Sequence, residues 1–229
     1  MRNFETKCYP ELDALLNEGR FVILKKLELG NFASNCYIVG DETTKEGMII
    51  DPGAEADAIL SALKPLGLTI KYIVLTHAHI DHIGAVNEVK KATNAKLALH
   101  SKEAPNLNNS PFRMMMPDVK DSPPPDVLLN EGDQLQIGKL TFNVVHTPGH
   151  TPGGICIIGD GIVFTGDTLF NFSIGRTDLP GGSTKQEMDS IYQKLMVLPD
   201  KTRVCPGHGP DSTIGAERRG NPFILEYRE

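Results

Sequence analysis

The sequence predicts an α/β protein built as a four-layered αβ/βα sandwich, and three observations lead there. Apolar, β-branched runs alternate with runs of helical spacing through the first half. The second half is dense in strand patterns and carries one long helical segment. Each half therefore offers several strands and one or two helices, and two such halves packed sheet on sheet bury both helix layers. With 229 residues and about 150 residues per domain as the usual size, the chain reads as one domain over 1–229.

The elements follow in order. Residues 1–20 read as a leading helix with Leu12, Leu15 and Leu16 on one face. Phe21–Leu29 and Asn35–Val39 read as strands joined by a turn at Gly30-Asn31-Phe32. Gly47–Asp51 is a buried strand ending on an aspartate, and Ala54–Leu66 has helical spacing. The run Ile70–Leu75 suits an interior strand. His82–Thr93 returns to helical spacing, and Lys96–His100 is another strand. The polar, proline-rich stretch Ser101–Asp126 predicts a surface excursion over the strand ends, with Met114–Met116 as soft core filling. Strands are then expected at 133–137, 140–146, 154–158, 161–165 and 202–205, with a helix over 184–197 burying Ile191, Leu195 and Leu198.

Composition narrows the function. The 23 Lys+Arg against 29 Asp+Glu give a net charge of −6, without the basic footprint of a phosphate-gripping nucleic-acid binder. No apolar run is long enough to span a bilayer, and the first residues do not read as a secretory signal. The four cysteines (Cys8, Cys36, Cys156, Cys205) lie far apart, so reduced thiols and a cytoplasmic location are expected. A small-molecule substrate fits best, with neither nucleic acid nor membrane as partner.

The histidines carry the chemistry. Of seven, His77, His79 and His82 fall within six residues, in Thr76-His-Ala-His-Ile-Asp-His82. Residues i and i+2 of an extended segment share a side, so His77 and His79 can grip one ion. Asp81 and His82, if they turn into a helix, project the other way and can hold a second. His150 in Pro148-Gly-His-Thr-Pro152, Asp167 in Thr165-Gly-Asp-Thr168 and His208 in Pro206-Gly-His-Gly-Pro210 each follow an expected strand. Five imidazoles and two carboxylates suffice for two divalent ions, with zinc the first choice and iron or manganese admissible. His100 and His146 read as ordinary packed histidines. Asp51 could accept from a ligand imidazole, and Arg176 and Asp178 could pair to shape the loop beside Asp167.

The cluster with its later His, Asp and His resembles the metallo-β-lactamase superfamily of hydrolases, whose fold is the αβ/βα sandwich. Within it, Thr147–Gly153, Thr165–Phe170 and Ser173–Gly182 are similar to the glyoxalase II-like group, the hydroxyacylglutathione hydrolases. The resemblance implies one ion on His77, His79 and His150, another on Asp81, His82 and His208, and Asp167 bridging. It implies a thioesterase acting on S-D-lactoylglutathione or a similar hydroxyacyl thioester through a metal-bridging hydroxide, with Asp81 both ligand and proton acceptor. Full-length glyoxalase II carries a C-terminal helical domain, whereas about twenty residues follow His208 here. The chain therefore looks more like the short single-domain members of that group.

Persulfide dioxygenases share the fold and would use one iron on His77, His150 and Asp167. Exported β-lactamases, nucleases with added basic segments and flavin-bearing diiron reductases fit the sequence less well.

Overall fold

Apolar β-branched runs without alternation build strands buried on both faces, and the strands central to the fold have that character. The computed structural model describes residues 22–109, 113 and 119–227. The helix expected over 1–20 and the Met114–Met116 run lie outside them.

The first sheet contains β1 (Val22–Leu29), β2 (Ser34–Asp41), β3 (Glu46–Ile50), β4 (Thr69–Leu75), β5 (Lys96–His100) and β6 (Val127–Leu129), side by side in chain order. Strands β1 to β3 pair antiparallel, and β3 to β6 run parallel. The second sheet has the order β14-β13-β10-β9-β8-β7. Its strands are β7 (Gln134–Ile137), β8 (Leu140–His146), β9 (Ile155–Gly159), β10 (Ile162–Gly166), β13 (Arg203–Pro206) and β14 (Ser212–Thr213). A small hairpin, β11 (Leu169–Phe170) and β12 (Ser173–Ile174), follows β10.

Three apolar clusters separate four layers. One lies between the first sheet and the helices α1 (Ala56–Leu63) and α3 (Val86–Thr93), centred on Ile59, Val86, Val89 and Leu97. The middle cluster joins the two sheets through Tyr37, Ile50, Phe142 and Phe164, with the Tyr37 and Phe164 rings edge to face at 5.2 Å. The third packs α4 (Thr184–Ser190), α5 (Ile214–Gly220) and α6 (Pro222–Tyr227) on the second sheet through Met188, Ile191, Ile214 and Ile224. This is the α/β sandwich the sequence predicts. Each fully buried Phe, Ile or Leu contributes about 1.5–3 kcal/mol, so the clusters outweigh any single polar contact.

The differences are local. The helical run from His82 to Thr93 breaks into a single turn, α2 (Ile80–Ile83), and α3. The break lets Ala85 donate its N–H to Pro52 O at 2.9 Å and tie the turn to the end of β3. The helix from Thr184 ends in a wider, π-helical turn over Ile191–Leu195. Strands β6 and β14, the hairpin β11–β12, and helices α5 and α6 had no sequence expectation, because two- and three-residue strands show no periodicity. Among the described residues, no helix is long and apolar enough to cross a membrane. Cys36, Cys156 and Cys205 are buried and free.

Candidate metal centre

The parallel strand β4 delivers Thr76 and His77 at its C-terminal end. His79 remains extended (φ −69°, ψ 146°) before α2 begins. The i, i+2 relation then brings His77 Nε2 to 3.1 Å from His79 Nδ1. The loop after β8 places His150 Nε2 at 2.9 Å from the same His79 nitrogen. These three donors form one compact group.

The helical turn α2 points Asp81 and His82 toward the loop after β13. His208 Nε2 lies 3.2 Å from His82 Nε2 and 3.2 Å from Asp81 Oδ2, forming a second group. Asp167, just past β10, stands between the two. Its Oδ2 is 3.9 Å from His77 Nε2, 3.6 Å from His150 Nε2 and 3.6 Å from His208 Nε2, and its Oδ1 is 3.4 Å from His82 Nε2. All seven donors singled out in the sequence thus meet at one end of the two sheets. His100 and His146 stay apart, stacked on each other with ring centroids at 4.2 Å, and the His146 Nε2–H donates to Pro152 O.

Side chains of β2 clamp the loop after β13 across the two sheets. Asn35 at the start of β2 donates through Nδ2 to Pro206 O and Gly209 O, and the Tyr37 hydroxyl donates to Pro206 O. Gly207 is required by close approach: a Cβ there would lie 2.1 Å from Asp167 Oδ1 and 2.9 Å from the His82 ring.

The outward nitrogens of the imidazoles decide what the inward ones can do. His150 Nδ1–H donates to Arg176 O at 2.7 Å, and His208 Nδ1–H to Phe32 O at 3.1 Å. His82 Nδ1–H donates to Asp51 Oδ2 at 3.1 Å. Asp51, in a left-handed backbone conformation (φ 50°), also accepts the Thr76 N–H at 2.7 Å and the Thr76 hydroxyl at 2.6 Å. With its hydrogen committed, Thr76 Oγ1 can only accept from His77 Nδ1–H at 3.1 Å. In its neutral form, each of these four imidazoles therefore turns an unprotonated Nε2 inward.

The bare His82 and His208 nitrogens, 3.2 Å apart, repel one another unless a positive charge sits between them, and one hydrogen on His79 Nδ1 could serve only one of the bare His77 and His150 nitrogens at 3.1 Å and 2.9 Å. Two nitrogens on one zinc-like ion, each about 2.0–2.1 Å from it, are about 3.3–3.4 Å apart in tetrahedral geometry. Asp167 Oδ1 is buried and has no hydrogen-bond partner, an expensive arrangement for a carboxylate that lacks a cation. The donor set fits two divalent ions. At His82 the surrounding carboxylates show the same demand for positive charge, which a proton meets where a metal ion does not. Burial alone would lower His82, but Asp167, Asp81 and Asp51 outweigh it and raise the imidazole to about 10. Burial, together with the neighbouring imidazoles, drives His77 well below its ordinary value and lowers His79 to about 3. Burial opposes ionisation of Asp81 as well, yet His82 and His208 hold its carboxyl well below the usual range.

The family profile described as Metallo-beta-lactamase superfamily matches residues 29–208. The chain belongs to this superfamily. Hydroxyacylglutathione hydrolase GloC of Haemophilus influenzae is 38% identical over 200 residues, covering 84% of this chain and 93% of that protein. Among solved structures, BLEG-1 B3 metallo-beta-lactamase is similar at TM-score 0.83 and 40% identity, over 88% of this chain and 99% of that one. TTHA1623 in a di-iron-bound form is similar at TM-score 0.79 and 38% identity, over 87% and 99%. The chain is thus a member of a superfamily of metallo-hydrolases and carries clustered His and Asp donors able to hold metal.

Asp51 lies in direct contact with His82, as described. Arg176 and Asp178 form a bidentate pair at 2.8 Å and 2.8 Å, with both side chains exposed. The part of Arg176 that meets a donor is its carbonyl oxygen. Sequence reasoning missed Thr76, whose hydroxyl orients His77, and Glu187, which accepts the His150 N–H at 2.9 Å through Oε2. Glu187 is buried and its Oε1 is unpartnered; burial pushes the carboxyl up to about 8. Its signal was present, since Glu187, Ile191 and Leu195 share one helical stripe and an acid on an apolar stripe is costly unless used.

Proposed function

We propose that this chain is a metal-dependent thioesterase acting on S-D-lactoylglutathione or a similar hydroxyacyl thioester. The observation that carries the reading is the pair of donor groups sharing Asp167, with four of the five imidazoles held so that their neutral form turns a bare nitrogen inward. His77, His79 and His150 would hold one ion, Asp81, His82 and His208 the other, and Asp167 both. Zinc suits the imidazole–carboxylate set, and iron or manganese would also be accepted. When bound, such ions polarise a carbonyl and lower the pKa of water toward neutrality. The similarity to a hydroxyacylglutathione hydrolase favours thioesters.

The chain's own residues set the direction of approach. His77 and His82 are sealed, with side chains 1% and 0% exposed, whereas His208 is 28% and Asp81 18% exposed. Substrate therefore reaches the site over Asp81 and His208. Phe32, 43% exposed, and Phe170, its ring 6.1 Å from that of His208, supply apolar surface there. The depressed Asp81 carboxyl suits a ligand and a hydrogen-bond acceptor from water rather than a resting store for a proton.

One further geometry favours a second reading, a mononuclear iron persulfide dioxygenase. His77, His150 and Asp167 converge as two histidines and a carboxylate. The test is metal analysis of the purified protein and its Asp81→Ala variant, with glutathione thioesters, a β-lactam and glutathione persulfide under air. Thioester turnover with two ions per chain is expected. Loss of one ion and a fall in turnover of about a hundredfold or more should follow in Asp81→Ala. Oxygen uptake with one iron supports the second reading, β-lactam turnover alone refutes both, and an Asp81→Ala variant with full activity and metal content refutes the role of Asp81.

A further inference from the structure

Resting on the reading of His77, His79 and His150 as a metal position, we propose that Glu103 is a positioning residue that fixes the spacing of the two loops carrying that trio. Glu103 opens the excursion after β5 and is 2% exposed. Its Oε2 accepts the N–H of Ala78, the residue between His77 and His79, at 3.0 Å. Its Oε1 accepts the N–H of Gly153, three residues beyond His150, at 2.8 Å. One carboxyl group thus joins a loop of the first sheet to a loop of the second.

The rest of the residue is built to hold that strap still. The Glu103 N–H donates to His100 O at 2.9 Å, at the end of β5, and its carbonyl accepts from Asn106 N–H at 2.8 Å. The partner loop is cut to fit, because a Cβ on Gly153 would lie 2.8 Å from Glu103 Cγ and Oε1. Glu103 touches no donor atom, so it acts through the backbone. A second tie between the same loops, Ile155 N–H to Thr76 O at 2.9 Å, keeps the sheets joined without it. Loss of the strap should therefore change the separation of His79 and His150 rather than unfold the chain.

Glu103→Gln is the sharpest variant. It is nearly isosteric, but a carboxamide has one accepting oxygen, and its NH2 would face a backbone N–H. The demetallated protein is titrated with Zn2+ against a chromophoric chelator, alone and in the Asp81→Ala background, in which only the first position binds. The melting temperature of each metal-free protein is read alongside. The expected result is about 10–100-fold weaker binding at the first position, unchanged affinity at the second and a metal-free melting temperature lowered by only about 2–6 °C. Unchanged affinity at the first position overturns the proposal. So does equal weakening at both positions, or a collapse of metal-free stability, because either makes Glu103 a general element of the fold. If wild-type protein takes up no Zn2+, the metal-centre reading fails by itself, and that outcome is visible without the Glu103 variant.

Discussion

Replacing Asp51 with Asn changes one oxygen to an NH2 group, and the hydrogen-bond geometry says where the damage goes. The Thr76 N–H at 2.7 Å needs an acceptor, so the amide oxygen takes the Oδ1 place and the NH2 takes the Oδ2 place. That NH2 then faces Thr76 Oγ1 and His82 Nδ1, both of which it meets as a donor. The Thr76 hydroxyl, now an acceptor there, turns its hydrogen to His77 Nδ1, and the His77 proton moves to Nε2. His82 likewise prefers its proton on Nε2. One isosteric change thus places hydrogens on an inward nitrogen in each donor group. Loss of one such outer partner costs about 10–100-fold in metal affinity. Two imidazoles affected independently give about 10²–10⁴-fold, or about 2.7–5.4 kcal/mol at 1.36 kcal/mol per decade. The assay is competitive Zn2+ titration of wild-type and Asp51→Asn protein, with 15N–1H NMR of the metal-free imidazoles to read the His77 tautomer. Affinities within about threefold of wild type, together with His77 still protonated on Nδ1, would refute the relay through Thr76.

Two further outcomes follow from the same contacts. Arg176→Ala should leave metal content and turnover within about twofold, because an exposed ion pair contributes roughly 0–1 kcal/mol and His150 is held by the carbonyl that Ala retains; loss of an ion would show that the side chain itself is required. Glu187→Gln should stabilise the metal-free protein increasingly as pH rises. The native carboxyl is raised to about 8 from 4.5, so the folded state retains a proton that the unfolded state releases, and wild-type stability falls from pH 4.5 upward. At pH 7 the difference is on the order of 3 kcal/mol. Urea unfolding at pH 5 and pH 8 measures it, and a gap independent of pH would refute it.

Much of this site was written locally in the chain. His77, His79, Asp81 and His82 are legible because an extended segment followed by a helical turn splits them two and two, a consequence of backbone geometry alone. The later donors stand out because Gly and Pro around His150 and His208 exclude regular structure. What the sequence hid depends on contacts between distant segments. Thr76 is an ordinary strand-end residue until Asp51, 25 positions earlier, occupies its hydrogen. Glu103 had no local signal at all, since its partners lie 25 and 50 positions away. Short elements failed for a different reason: β14 and the hairpin β11–β12 are two-residue strands, too short to repeat even the two-residue period of a strand.

The division of labour among the outer partners also accounts for why the donor pattern speaks for metal more clearly than for substrate. His150 and His208 are held by the carbonyl oxygens of Arg176 and Phe32, groups that any residue at those positions supplies. The corresponding side chains point elsewhere: Arg176 to Asp178 at the surface, and Phe32 to solvent beside the exposed edge of the site. Backbone at these positions presets the imidazoles, while the side chains can change the surface a substrate meets without disturbing a ligand. The two imidazoles oriented through side chains, His77 and His82, are the least exposed of the five, where no substrate contact competes. A cage built this way fixes its chemistry from within and leaves recognition to residues such as Phe32 and Phe170 at its mouth. Substitutions there should alter KM and substrate choice before they alter metal content.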